Sequence, residues 1–168
     1  RKALVEPALA PIATRAREPS DALRDMWTRR MSSEAYQAML PGRRDLPIYQ
    51  ARDAILQCVA TSQVVVLSGE TGCGKSTQLP SYLMEDCLAR GEPCKMYVTE
   101  PRRISAITLA ERVSQELGEK PRSMGSPESL VGYAIRLESQ IGANARLIYA
   151  TTGMVLRMLE SSVLDDVT

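Results

Sequence analysis

The chain is predicted to fold as an α/β domain with a mainly parallel sheet and helices on both faces. Short apolar runs rich in β-branched residues alternate with stretches whose apolar residues recur every three or four positions. About thirty residues separate the run at Val64 from the one at Met96, which suits a βαβ unit with its right-handed crossover. A glycine-rich turn directly follows the first run, at the strand end where such a sheet carries its chemistry.

Size and charge set limits. The 168 residues suffice for one domain with a substantial core and leave no room for a second full one. A net charge of +1 supplies no global basic field, so any nucleic-acid contact has to be local. His is absent, which removes the commonest general base, and a hydrolytic site would need a carboxylate instead. Cys58, Cys73, Cys87 and Cys94 show no C-x-x-C spacing. Reduced thiols, no zinc and a cytoplasmic setting are expected, with the nucleus as the alternative. No stretch is long and apolar enough to span a bilayer, so no membrane partner is expected.

Arg1–Pro19, with Pro7, Pro11 and Pro19 and no amphipathic period, reads as a linker. Residues 20–47 are expected to form an N-terminal helical extension capped by Ser20. Leu23, Trp27, Met31, Ala35 and Met39 share its apolar stripe, as a helix or helix pair up to Leu40. The stripe packs on the domain or receives a partner, and packing is its more generic use. Pro41 and Gly42 should break the helix. Tyr49–Ala60 reads as a further helix, with Ile55, Leu56 and Val59 on one side, leading to a strand at Val64–Leu67. After the glycine-rich turn, Leu79, Leu83, Cys87 and Leu88 mark a helix ending near Gly91, which Pro80 should kink or break one turn in. Lys95–Thr99 is the next strand. Pro101 then opens a helix whose buried face holds Ile104, Ile107, Ala110, Val113 and Leu117, and Gly118 stops it. Glu119–Ser129 is a loop. Leu130–Leu137 and Arg146–Thr151 are strands about a turn near Gly142–Asn144. Thr152–Glu160 is a helix with Met154, Val155, Met158 and Leu159 inward, and Ser161–Thr168 leads toward a further element.

Gly69–Thr77, GETGCGKST, carries the strongest chemical signal: Gly69, Gly74, Lys75 and Ser76 fit G-x-x-x-x-G-K-[ST], the phosphate loop of nucleoside triphosphatases. A loop that wraps a triphosphate turns several backbone N–H groups inward and brings main chain close to oxygen. That favours residues without a Cβ at Gly69, Gly72 and Gly74. Gly69, Glu70, Thr71, Gly72, Cys73, Gly74, Lys75, Ser76 and Thr77 together form the expected cradle for ATP or another NTP. The following helix adds free N–H groups and the positive end of its dipole. Lys75 is the candidate catalytic residue, a point charge on the β and γ phosphates. Ser76 is the candidate ligand of Mg²⁺, whose other ligands are phosphate and water, and Thr77 is a further phosphate contact. The bland alternative is a flexible loop before an ordinary helix, which the strand and helix context disfavours.

Arg102 and Arg103 lie in the first turn of a predicted helix, where cations oppose the dipole. Either they hold an external anion such as a nucleic-acid phosphate, or they pair with Glu100 or another surface acid. Residue types alone leave both open. Thr152, beside Gly153, either caps the last helix or helps to hold a second phosphate, and capping is the commoner use.

GETGCGKST at Gly69–Thr77, TEPRRISA at Thr99–Ala106, VGYAIRLES at Val131–Ser139 and TTGMVLR at Thr151–Arg157 resemble, in order and spacing, part of a known motor. That motor is the first half of the core of DEAH-box (DExH) RNA helicases of superfamily 2. The resemblance is closest to the large multidomain members with a long N-terminal extension, some of them associated with translating ribosomes. It covers the chain from about Leu46 onward. It implies a RecA-like P-loop NTPase fold, with residues 48–168 forming part of the first RecA-like domain. It also implies RNA-stimulated NTP hydrolysis, movement towards the 5′ end of a bound strand, and a ribosome or other ribonucleoprotein as wider partner. Carried over, Lys75, Ser76 and Thr77 hold phosphates and magnesium, while Arg102, Arg103, Thr152 and Gly153 touch the RNA backbone. Arg112 matches the family arginine that stacks on the nucleotide base. It follows Arg103 by nine residues, so the two side chains leave the helix on opposite sides.

The resemblance further implies an acidic box, on the Walker B strand, a few residues beyond the position of Thr168, and a second RecA-like domain with arginine fingers. Neither lies within this sequence. The expectation is therefore a first domain truncated before the acidic strand, which binds nucleotide weakly and hydrolyses little or none by itself. Two other functions share a phosphate loop: a small-molecule kinase, which needs an acceptor pocket with a lid, and a non-catalytic nucleotide-binding scaffold. RNA rather than DNA follows only from the resemblance, because no aromatic row marks base stacking.

Overall fold

A computed structural model describes residues 19–160. Most of the predicted linker, and Ser161–Thr168, lie outside the described residues. Ser20 caps α1, Asp21–Met31, by accepting from the Leu23 amide, and Ser33 caps α2, Glu34–Arg44, through the Tyr36 amide. The predicted stripe therefore divides at Ser32–Ser33. The break resets the helical phase: Trp27 is buried as expected, but on α2 the buried residues are Tyr36 and Arg43, and Ala35 is exposed. The Trp27 and Tyr36 rings meet edge to face with centroids 5.5 Å apart.

Pro41 does not end α2, which runs on to Arg44. Proline there forfeits one helical hydrogen bond, and the helix continues to Arg43, which is buried and bonded to Gln78 and Glu85. A 3₁₀ turn at Pro47–Ala51 and α3, Arg52–Thr61, replace the single helix expected from Tyr49. Ile48 and Ile55 pack with Tyr82, whereas Val59 stays exposed.

The strand expected at Val64–Leu67 is absent among the described residues. Val64 makes only an isolated bridge, residues 65–70 have no regular structure, and Val66 is 73 % exposed. A strand exists only where a neighbour takes its N–H and C=O groups, and the described sheet does not reach this segment.

Helix α4, Lys75–Arg90, continues through Pro80 where a kink or break was expected. Pro80 has no N–H to give the Ser76 carbonyl one turn earlier. That carbonyl instead accepts from the Tyr149 hydroxyl at 2.8 Å, so the freed acceptor is satisfied.

Strand β1, Met96–Glu100, leads into α5, Arg103–Glu116; β2, Val131–Ile135, and β3, Glu138–Gln140, precede β4, Leu147–Thr151, and α6, Thr152–Glu160. The sheet order is β1-β4-β2-β3. Strands β1, β4 and β2 run parallel, and β3 folds back antiparallel on β2 as a short hairpin that the sequence pattern did not mark. Helix α5 starts at Arg103 with Arg102 as its cap residue, later than Pro101 suggested. Ile104 is 78 % exposed and leaves the expected buried face, which Ala106, Ala110, Val113 and Leu117 carry. Gly118 ends the helix at φ +69, where a Cβ would stand 2.6 Å from the Tyr36 amide nitrogen.

Alternation along β4 sorts the core. Leu147 and Tyr149 join the cluster of Trp27, Met84, Leu88 and Val113, while Ile148 and Ala150 join Ala134 with Met154, Val155 and Met158. Helices α4 and α5 thus cover one face and α6 the other. Leu159, expected to point inward, is 58 % exposed.

Candidate nucleotide site

The glycine-rich loop is pinned where it enters the helix. The Ile48 amide donates to the Cys73 carbonyl at 3.2 Å, and the Gln78 amide donates to the Gly74 carbonyl at 2.7 Å. Gly72 and Gly74 hold φ angles of +83 and +99, the left-handed region that favours glycine. At Gly74 a Cβ would also lie 3.0–3.1 Å from the side chains of Ile48, Leu46 and Gln78, so space as well as backbone demands glycine there.

Lys75 Nζ donates to the carbonyls of Gly69 and Glu70, 2.7 Å to each, with Cys73 Sγ at 3.5 Å. The ammonium thus rests inside the curl on main-chain oxygens, where phosphate oxygens can replace them. A cavity of about 490 Å³ opens beside it, and its wall includes Thr71, Gly72, Gly74, Lys75, Ser76 and Thr77 together with Arg112 and Glu116 of α5. Glu70 takes part through its carbonyl, and Gly69 and Cys73 lie behind the lysine. The Ser76 hydroxyl is exposed and bonds to no described residue, which fits a hard oxygen ligand for Mg²⁺. Thr77 is already engaged: its hydroxyl donates to the Gly74 carbonyl at 3.3 Å and accepts from Gln78 Nε2 at 3.1 Å.

Arg112 Nε donates to Glu116 Oε1 at 2.7 Å. Glu116 stands one turn further on, a spacing that could have flagged it. Nothing local flags Gln78 or Tyr149. Burial, with added repulsion from Glu116 and Glu100, pushes the Tyr149 hydroxyl well above the usual phenol range, so it keeps the proton that it gives to Ser76.

A second group gathers at one end of the sheet. The β1–β4 register places Glu100 beside Thr151, so α5 and α6 begin at the same end of the sheet, on opposite faces, with Arg102, Arg103, Thr152 and Gly153 all exposed. Neither arginine has an acid partner among the described residues, and the pairing with Glu100 does not form. Two exposed cations and two helix starts thus lie at the same end of the sheet, with no acid bonded to either arginine among the described residues. A larger cavity, about 660 Å³, lies between α1 and residues 118–128. Its wall mixes Arg29, Arg30 and Lys120 with Asp25, Glu119 and Glu128, and it offers no cradle for phosphate. No described helix is long and apolar enough to cross a membrane.

No protein-family model matches the sequence. The chain is 42 % identical over 166 residues to the ATP-dependent RNA helicase DHX29 of Mus musculus, covering 94 % of this chain and 12 % of that protein. It is 50 % identical over 125 residues to the DExH-box ATP-dependent RNA helicase DExH3 of Arabidopsis thaliana, covering 73 % of this chain and 10 % of the relative. With DExH1 of the same plant, also a DExH-box ATP-dependent RNA helicase, it shares 43 % over 142 residues, covering 83 % and 14 %. The chain spans between 10 % and 14 % of the length of these relatives. Sharing 42–50 % of aligned residues with them over most of its length, the chain belongs to the DExH/DEAH-box family of ATP-dependent RNA helicases.

Proposed function

We propose that this chain is the nucleotide-binding part of an ATP-dependent RNA helicase, with residues 48–168 belonging to a first RecA-like P-loop domain and residues 20–47 a helical extension. It binds ATP or another NTP at Gly69–Thr77 and couples hydrolysis to translocation on, or unwinding of, RNA. The observation that carries the reading is the single cavity shared by Lys75, Ser76 and Arg112. Lys75 exchanges the Gly69 and Glu70 carbonyls for β and γ phosphate oxygens, the N-terminus of α4 adds its free N–H groups, and Arg112 stacks on the base. Ser76 would hold Mg²⁺, which when bound would offset the charge of the phosphates. Arg102, Arg103, Thr152 and Gly153 take the RNA backbone. Nine residues of α5, about 13 Å at the helical rise, separate Arg103 from Arg112, so one rigid helix joins the two sites.

Among the described residues Glu116 is the one carboxylate on the cavity wall, and it is committed to Arg112 and Gln78. Residues 1–168 alone are therefore proposed to bind nucleotide and hydrolyse little. A ribonucleoprotein such as the ribosome, in the cytoplasm, is the proposed wider setting.

Phosphate release from Mg·ATP, with and without single-stranded RNA, tests the reading in the longest natural chain carrying this sequence. RNA should stimulate it, and Lys75→Ala should lower it about a hundredfold or more. An unchanged rate in Lys75→Ala overturns the assignment, and transfer of the phosphate to a small acceptor favours a kinase. Arg102→Gln and Arg103→Gln should each reduce the slope of log binding constant against log salt for RNA by about one. An unaltered slope removes them from the RNA surface.

A further inference from the structure

Gln78 is fully buried in the first turns of α4, and its side-chain amide is bonded through both nitrogen hydrogens and its oxygen. Nε2 donates to Thr77 Oγ1 at 3.1 Å and to Glu116 Oε2 at 2.6 Å, while Oε1 accepts from Arg43 Nε at 2.9 Å. Glu116 is 2 % exposed, and its other oxygen accepts from Arg112 Nε. Arg43, 3 % exposed, also donates through Nη2 to Glu85 Oε1 at 2.6 Å. Glu85 in turn accepts from the Tyr36 hydroxyl at 3.2 Å, and the Arg43 guanidinium lies over the Tyr36 ring. An unbroken line of hydrogen bonds thus runs from α2 through α4 to α5 and ends on the wall of the nucleotide cavity.

Stability alone does not call for such a line, since apolar side chains of similar volume would fill the same space with no desolvation penalty. A polar line supplies direction instead. Glu116 is gripped through both oxygens, so it cannot rotate, and its bond to Arg112 Nε sets the plane of that guanidinium. The Arg112 side chain is 54 % exposed and would otherwise sample many rotamers. Here the bond to a buried carboxylate narrows that freedom before any ligand arrives, which is preorganisation for a flat partner.

We propose that Arg43 and Gln78 are positioning residues that act through Glu116 to hold the Arg112 guanidinium against the base of a bound nucleoside triphosphate, so that α2 is hydrogen-bonded into the nucleotide site. The proposal rests on the reading of the loop as a nucleotide site and extends it to residues that touch no nucleotide. It makes the base contact sensitive to the seating of the α1–α2 pair on the domain. The line touches the loop only where Gln78 Nε2 donates to the Thr77 hydroxyl, which keeps its own bond to the Gly74 carbonyl, and Lys75 lies outside it.

Calorimetric titrations with Mg·ATP and with Mg·tripolyphosphate, which keeps the charged tail but lacks a base, separate the two. They use the longest natural chain carrying this sequence. Gln78→Met and Arg43→Met should each weaken Mg·ATP about tenfold and leave Mg·tripolyphosphate within about twofold. Arg43→Lys, which keeps a donor, should recover part of the loss. In an Arg112→Ala background Gln78→Met should cause no further loss, because the two act in series. Should either methionine variant fail to fold, Glu116→Gln keeps the shape and takes its place with a several-fold loss. Equal weakening of both ligands, additive losses with Arg112→Ala, or no loss at all overturns the proposal. A wild-type protein that binds neither ligand is a different failure: it removes the nucleotide site and this proposal with it.

Discussion

Residues 64–67, VVVL, and 147–150, LIYA, look much alike as sequence: each is a short apolar run that reads as a covered strand. Their fates differ. Leu147, Ile148, Tyr149 and Ala150 are 0 % exposed, between β1 on one side and β2 on the other. Val64 and Val66 are 51 % and 73 % exposed, and no ladder continues through residues 65–70. Composition cannot be the cause, because the valine run has the higher share of β-branched residues. The cause is the neighbour: β-propensity measures fit to a pleated surface that other strands must supply. The contrast reaches the candidate nucleotide site, since the Tyr149 hydroxyl of β4 holds the Ser76 carbonyl where the loop enters α4, whereas residues 65–70 leading into the loop form no ladder.

Four measurements test that contrast. Leu147→Ala should lower stability most, by about 2–5 kcal/mol in urea unfolding, because it empties a fully packed position. Tyr149→Phe should follow at about 1–3 kcal/mol, since the Ser76 carbonyl would then lack both the Pro80 N–H and the tyrosine hydroxyl. The same variant should change the alkaline limb. The folded state holds the Tyr149 proton well above pH 10, whereas the unfolded chain releases it near there. That stability is complete below about pH 10 and falls as pH rises, by about 1.4 kcal/mol per unit for one tyrosine. Tyr36 and Tyr82, both pushed up to about 12 chiefly by burial, act in the same direction. The difference between wild type and Tyr149→Phe therefore isolates the strand residue, and identical alkaline slopes would refute the burial of its hydroxyl. Val66→Ala should do least, within about 0.5 kcal/mol in residues 1–168. Equal costs at Val66 and Leu147 would show the valine run packed after all.

Some of the molecule is written in adjacent residues. The glycines of the loop answer to local backbone angles, Ser20 announces α1 by the hydroxyl it lends to Leu23, and Gly118 ends α5 by turning left-handed. Such features depend on neighbours within a few positions, so spacing reveals them. Pro41 and Pro80 mislead for the opposite reason. A proline signals a missing bond, but whether the helix ends depends on a partner far along the chain, and Tyr149 stands 73 residues from Ser76.

The candidate site divides along the same line. Residue order determined the glycine-rich turn with G-x-x-x-x-G-K-[ST] spacing at Gly69–Thr77, because its backbone angles are demands on consecutive residues. Folding decided which side chains meet it. Gln78 finds Arg43 across 35 positions and Glu116 across 38, and only the packing of α2 and α5 against α4 brings them together. Folding also decided which apolar runs became strands, since a ladder is made by two segments and cannot be read from one.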